Sequence, residues 1–325
     1  LFQRNGWTDG LPIVPPTDAL VRTFLRAAYL EADRVIGVEP VRRRRITAEK
    51  IAIAAVMAGC LPEYMPVIVA VIRAMCEPQF GLHGSTESTG GSAPMIIVNG
   101  PVRARIGMNA THNALANASR ANATIGRTVR LFVLNVLGGH PGQLDRSTLG
   151  HPGKYTFCVA EDEEDSPWLP LSVERGIPAG TSAVTVMAVE SPHQIMNEWT
   201  HDPKEILDTY AAAIRGNMLT YSIWEGNYAM IVPCMHRQIF AEANWSKQNI
   251  RDYTFEAARV ARKEWRTVGK AAVAGRKDEE KIYRALRSPD DLLVVAAGGP
   301  AGGFGVIVPP WYGKKSLAVT MPIDG

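Results

Sequence analysis

RANATIGRTVRLFVLNVLGGHPGQLDRSTLGHPGKYTFCVAEDEEDSPW, residues Arg120 to Trp168, decides how the rest of the chain is read. It places a polar approach, an apolar helical run, a Gly/Pro/His loop, a short apolar strand and an acidic turn in succession. That order belongs to α/β architecture. Its unusual polar residues collect in loops, where a rigid scaffold presents binding and catalytic groups. Val129, Leu131, Phe132, Val133, Leu134 and Val136 predict a largely buried helix over 125–137, capped by Thr124. Arg127 and Arg130 then fall in its early turns and oppose the helix dipole, so a bound anion or a carboxylate is expected beside them. HPG occurs at His140–Gly142 and again at His151–Gly153, an echo too short to define a repeat. A strand over 155–159 leads into Glu161, Asp162, Glu163, Glu164 and Asp165. Mutual repulsion forbids burying all of these carboxylates together, so one or two should face inward and the rest water.

Upstream, WTDGLPIVPPT (Trp7 to Thr17) is too rich in Gly and Pro for a helix and reads as an extended strap with a turn at Asp9-Gly10. Thr17 then caps a helix over 18–29. Residues 46–74 read as two apolar helices broken at Leu61-Pro62. A strand over 95–98 follows a Ser/Thr/Gly run that includes Ser88, whose backbone amides suit an anion. The run matches neither a P-loop nor a dinucleotide fingerprint, and an ordinary turn-rich loop stands beside the ligand reading. Asn109, Asn113 and Asn117 have the four-residue spacing of one helical face, with Asn122 beyond them. Downstream, strands are expected over 183–189, 228–232 and 292–297, and helices over 203–218, 237–243 and from Ser246 to 265. Residues 192–199 read as a loop or short helical turn, and 306–309 and 317–319 as extended segments. The sum is an α/β fold with a mixed or mostly parallel sheet and flanking helices. It divides into a strap and helix (1–45) and two α/β lobes (46–190 and 191–325).

The chain has 325 residues, 46% of them hydrophobic, enough for one large core or two moderate ones. With 35 basic and 32 acidic residues, its charge of +3 offers nucleic acid only weak attraction, and no recognition motif accompanies it. The basic run Arg42–Arg45 reads as a solvated face or subunit salt bridges, with an anion contact as the sharper alternative. Cys60, Cys76, Cys158 and Cys234 lack CxxC spacing, so neither a disulfide framework nor a thiolate zinc site is indicated. No run reaches membrane-spanning length and no signal peptide is visible, so a cytoplasmic location without membrane contact is expected.

Cys234 and His236 follow a predicted strand and supply a thiol with a proton partner. In extended chain they would share a face roughly 6 to 7 Å apart unless Pro233 turns the backbone. His151 is a second proton carrier and Glu161 its orienting carboxylate, while Cys158 reads as core. His140, His151, Glu161, Asp145 and His236 would be N/O ligands, but HExxH spacing is absent and no metal is assigned. There is no GxSxG elbow. Asn122, Arg127, Ser88 and the backbone at Gly298, Gly299 and Gly302 are the expected substrate-binding groups. No cofactor is indicated.

DGLPIVPPT, the 120–168 run, NWSKQNI and VVAAGGPAGGF resemble an uncharacterised bacterial protein family across most of the chain. Some similar proteins occur beside or joined to a small domain with a Cys-or-selenocysteine/Gly/Ser/Cys motif. The resemblance implies thiol or selenol redox chemistry, or assembly with such a partner. This chain lacks the Gly-Ser-Cys portion, so the implication concerns a partner and names no catalytic cysteine here. The residues themselves favour a lyase or hydrolase, most simply a homo-oligomer, acting on a small polar or anionic molecule. The alternative is a non-catalytic or co-catalytic subunit supporting a small thiol/selenol protein.

Overall fold

The computed structural model describes residues 1–116, 119–221, 224–274 and 278–324. Helices, in order, are α1 (Asp18–Ala27), α2 (Ala48–Ala58), α3 (Met65–Cys76), α4 (Leu82–Thr86), α5 (Val102–Arg105), α6 (Arg120–Asn135), α7 (Leu171–Glu174), α8 (Pro203–Thr220), α9 (Cys234–Glu242), α10 (Lys247–Ala257) and α11 (Ala271–Ala274). Strands are β1 (Val35–Glu39), β2 (Arg44–Thr47), β3 (Ala93–Asn99), β4 (Cys158–Ala160), β5 (Ala183–Val189), β6 (His193–Met196), β7 (Tyr228–Val232), β8 (Arg259–Ala261), β9 (Ile282–Arg284), β10 (Leu292–Ala296), β11 (Phe304–Val308) and β12 (Val319–Pro322).

Strand alternation builds four layers. Met95, Ile97, Met187 and Val189 point from one sheet toward Ile231, Val295, Val306 and Val308 of the other, forming an apolar seam between the two. The opposite face of the first sheet, with Ile96, Val98 and Val186, packs on α1, α2, α3 and α6. The opposite face of the second, with Met230, Val232 and Val294, packs on α8, α9 and α10. The fold is therefore α/β, with two mixed sheets back to back and helices on both outer sides.

The two sheets share one topology. The first runs β12-β5-β3-β4 and the second β6-β11-β7-β10. In each, two strands joined by a helical crossover pair in parallel, β3 with β4 and β7 with β10. A third strand adds antiparallel, β5 to β3 and β11 to β7. The fourth strand is exchanged: β6, next after β5, joins β11, and β12, next after β11, joins β5. Neither sheet is thus made from one continuous stretch of chain.

Several local expectations change. Helix α6 begins at Arg120, where the Ser119 side chain accepts from the Asn122 N–H, so Thr124 is interior and bonds back to the Arg120 carbonyl. Arg127 and Arg130 consequently sit mid-helix, away from the dipole end. Asn109 and Asn113 lie in turns, Asn113 with φ +56°, because Asn satisfies local backbone more readily than it extends a helix. Asn117 of the expected stripe lies outside the described residues. Cys234 and His236 belong to α9, whose N-cap is Pro233, because a proline at a helix start loses no hydrogen bond. Residues 193–196 are a strand rather than a helical turn, since β11 offers an open edge there. The helix begun at Ser246 has a capping box and ends at Ala257, before β8. The strand expected over 155–159 is preceded by a 3-10 turn, Pro152–Lys154, and runs instead over Cys158–Ala160.

Candidate functional site

The expected site residues distribute over two ends of the first sheet. At one end lies the acidic turn. Glu161, fully buried, accepts from Asn99 Nδ2 at 2.6 Å, Leu171 N at 2.7 Å, Lys247 Nζ at 3.1 Å and Ala296 N at 3.4 Å. It joins both sheets and leaves no oxygen facing solvent. Val98 pairs with Ala160 and Val232 with Ala296, so the sheets are matched there, and an arginine follows each valine at the same distance (98 to 103, 232 to 237). Arg103 holds Glu163 and Glu164, each at 3.0 Å, and Arg237 holds Asp162 at 2.7 Å and Asp165 at 3.1 Å. These pairs permit a carboxylate run to fold against the core. Glu161 and Asp162 are buried while Glu164 and Asp165 stay exposed, in line with the repulsion argument.

Cys234 and His236 lie beside this turn. The Cys234 thiol donates to Asp165 Oδ2 at 3.3 Å, and burial and that carboxylate push its pKa up. His236 is fully buried, with Nδ1 3.0 Å from the Tyr210 hydroxyl and Nε2 2.9 Å from the Asn197 carbonyl. Burial pulls its pKa down, disfavouring the charged ring. Thiol and imidazole therefore bond to different partners. The glycine loop passes over them: a side chain at Gly303 would meet His236 Nε2 at 2.8 Å, and one at Gly299 would meet His112 at 2.9 Å. Gly298 (φ +111°) donates its N–H to the Ala110 carbonyl, and Gly302 (φ +82°) packs on Glu198. The loop is a close-packed cover here.

His151 sits at the other end of β3. Its Nε2 is 3.3 Å from the carbonyl of Val189, the partner of Ala93, whereas Glu161 adjoins Asn99. Six strand steps separate the two, roughly 20 Å. His151 Nδ1 accepts from Gly153 N at 3.2 Å, which caps the Pro152–Lys154 turn, and burial lowers its pKa. His151 and Glu161 thus do not form a pair.

A cleft of about 530 Å³ opens at the His151 end, lined by Asp9, Arg130, Asp145, Ser147, Leu149, Lys154 and Tyr155 among others. Gly126 brings the wall together: a side chain there would meet Phe157 N at 2.8 Å, so only glycine lets α6 approach the loop so closely. The Ser/Thr/Gly run is the loop's support. Ser88 accepts from Trp311 Nε1 at 3.0 Å through its hydroxyl and from the Ser147 hydroxyl at 3.1 Å through its carbonyl. Asn122 is likewise structural, bonded to Asn109, Ser119 and the Cys158 carbonyl. Arg127 is spent on the strap, with Nε and Nη2 each 2.8 Å from the Asp9 carboxylate and Nη2 also 2.8 Å from the Pro12 carbonyl. Asp9 is the carboxylate that the mid-helix charges called for.

Inside the cleft Asp145 organises the polar groups. Its Oδ1 accepts from Ser147 N at 3.1 Å and the Ser147 hydroxyl at 2.5 Å, and its Oδ2 from Lys154 Nζ at 2.7 Å. Lys154 also donates to Ser147 Oγ at 2.8 Å. Burial would raise the Asp145 pKa, but Lys154 and Ser147 hold it below the ordinary carboxylate value. Arg130 is different. Its side chain is 15% exposed, and its one ion-pair partner among the described residues is Asp145 Oδ2 at 3.7 Å, beyond hydrogen-bond reach and already bound to Lys154; Asp9, itself held by Arg127, adds only a more distant negative charge. Burial lowers its pKa. A partly desolvated guanidinium with so little compensation favours an anion at the cleft wall. Sequence reading passed over Ser147 and Lys154, which carry no local signature. The signal available was Asp145 two residues before Ser147, the spacing of an Asx turn.

Among the described residues no His/Cys/Asp/Glu group is arranged to hold a metal ion, and no helix is long and apolar enough to cross a membrane. Comparison with protein-family models and with curated proteins gave no match to this chain.

Proposed function

We propose that the protein is an enzyme of hydrolase or lyase type that takes a small anionic substrate into the cleft beside α6. Arg130 carries the proposal, as a buried cation left with a shared, distant carboxylate. In this reading Arg130 binds the anion and Lys154 adds positive charge. Ser147 is the hydroxyl within reach of the substrate, and Asp145 accepts its proton. The network supports this assignment better than Cys234 and His236, which bond to separate partners and line neither this cleft nor its larger neighbour. A cytoplasmic setting is part of the reading, supported by four unpaired cysteines. Titration calorimetry with phosphate, malonate and succinate is expected to show binding that Arg130→Gln weakens at least about ten-fold, the scale of a charged hydrogen bond. Ser147→Ala should keep binding and lose turnover. Absence of binding by all three acids would overturn the assignment.

A second reading, a subunit serving a thiol or selenol partner, is favoured by one feature. Leu149 is 95% exposed at the cleft mouth, where it presents apolar surface to another molecule. Leu149→Asp would then weaken a partner complex and leave small-acid binding unchanged.

A further inference from the structure

We infer that the ligand is an amphiphilic acid, with a carboxylate or phosphate head at Arg130 and Lys154 and an alkyl or aryl tail in the adjoining cleft. The inference deepens the anion-site reading and depends on it. A second cleft of about 800 Å³ shares Pro152 and Tyr155 with the first, so the two lie on either side of one turn. Their linings differ in chemistry. The first has Asp145, Lys154 and Arg130, whereas the second is walled by apolar side chains such as Leu11, Leu115, Phe157 and Pro192.

The charges explain why the second cleft takes a tail rather than another anion. Arg127 is the one cation in its lining among the described residues, and the Asp9 carboxylate already neutralises it through two hydrogen bonds. An incoming acid would find no uncompensated positive charge there, but an apolar group would remove Leu11 and Tyr155, 43% and 53% exposed, from water. The strap ties the two compartments together. Asp9 lines the polar cleft and Leu11 the apolar one, and the strap is pinned between them by Arg127 and by the bond from Asn135 Nδ2 to the Trp7 carbonyl. A ligand spanning both would cross Tyr155, whose ring offers an apolar face and whose hydroxyl suits the polar side.

The test is calorimetry on the full chain with acetate, butanoate, hexanoate and octanoate, each against the neutral alcohol of equal length. Affinity of the acids is expected to rise about four-fold per methylene, the value of one buried CH2. Leu115→Ser should flatten that rise while leaving acetate unchanged, and Arg130→Gln should weaken every acid but not the alcohols. Circular dichroism melts establish that both variants fold. If acids bind with no dependence on chain length, the tail inference fails and the anion site stands. If no acid binds, both fail. If octanol binds as tightly as octanoate and Arg130→Gln changes nothing, head and tail are not one site and the inference is overturned. Equally, if sedimentation shows a dimer broken by Leu115→Ser and no acid reaches the apolar cleft, that face is a subunit contact and the inference falls.

Discussion

The acidic turn and the cleft beside α6 are both dense in charge, yet they treat it in opposite ways. At the turn, two matched arginines and Lys247 meet the carboxylates, buried and exposed alike, at hydrogen-bond distance, and Glu161 has four donors. In the cleft, the carboxylates near Arg130 are Asp145, at 3.7 Å and already held by Lys154, and the more distant Asp9, held by Arg127. Full compensation marks a joint between sheets, and incomplete compensation marks a place prepared for something else. Perturbed or buried ionisable groups alone therefore do not distinguish function from architecture; the unfilled remainder does.

The sharpest way to break this contrast is Glu161→Ala. It would take from the buried Lys247 ammonium one of its two carboxylates, leaving Glu174 at 3.1 Å, and would strip the buried Leu171 and Ala296 N–H groups of their acceptor, so a loss of about 3 kcal/mol in urea unfolding is expected. Arg130→Gln should change stability by less than about 1 kcal/mol in the same assay, since the cation removed is desolvated and makes only a 3.7 Å ion pair, so its loss relieves about as much as it costs. Equal losses would erase the distinction.

Next in size is Asp9→Asn, which weakens the strap anchor by about 2 kcal/mol. Burial would raise the Asp9 pKa, but the Arg127 bond and charge leave it below the ordinary aspartate value of 3.8. The anchor is thus complete above the unfolded carboxylate range and fades as pH falls through the lower folded value. The stability difference between wild type and Asp9→Asn should be constant from pH 7 to 5 and shrink in stronger acid, with proteolysis of the strap following the same course.

The smallest effect is expected at the cysteines. Burial pushes Cys60 to about 11 and Cys76 to about 12, and raises Cys158 and Cys234 as well. Disulfide-exchange reagents at pH 8 should label the native chain only at the rate of opening, and Cys234→Ser should leave acid binding intact. A rapidly labelled thiol would bring the redox reading back to this chain.

How much of this was legible depends on the range of the interaction. Residues 228–232 and 183–189 are read correctly because an apolar strand buried on both faces announces itself locally. The start of α6 is not, because Asn122 looks like a loop residue until Asn109 and Cys158 supply its partners. Cys234 and His236 look like a strand end because Pro233 punctuates both strand ends and helix starts. Arg127 is legible as a charge needing a carboxylate, but only the fold identifies Asp9 as that carboxylate, from far upstream in the chain. The cleft beside α6 is the least legible part. Arg130, Asp145 and Lys154 come from a helix and two loop segments, and no spacing records that they meet.

The exchange of β6 and β12 has a consequence during synthesis. The outer edge of β5 has no hydrogen-bonding neighbour until Pro309–Trp311 and then Val319–Pro322 emerge from the ribosome, after the whole second sheet has been made. A nascent chain would carry a bare, apolar strand throughout the synthesis of β6 to β11, the kind of surface that recruits chaperones or self-associates. Fragments cut between β5 and β6 would each lack a closing strand and should become soluble only when mixed, each repairing the other.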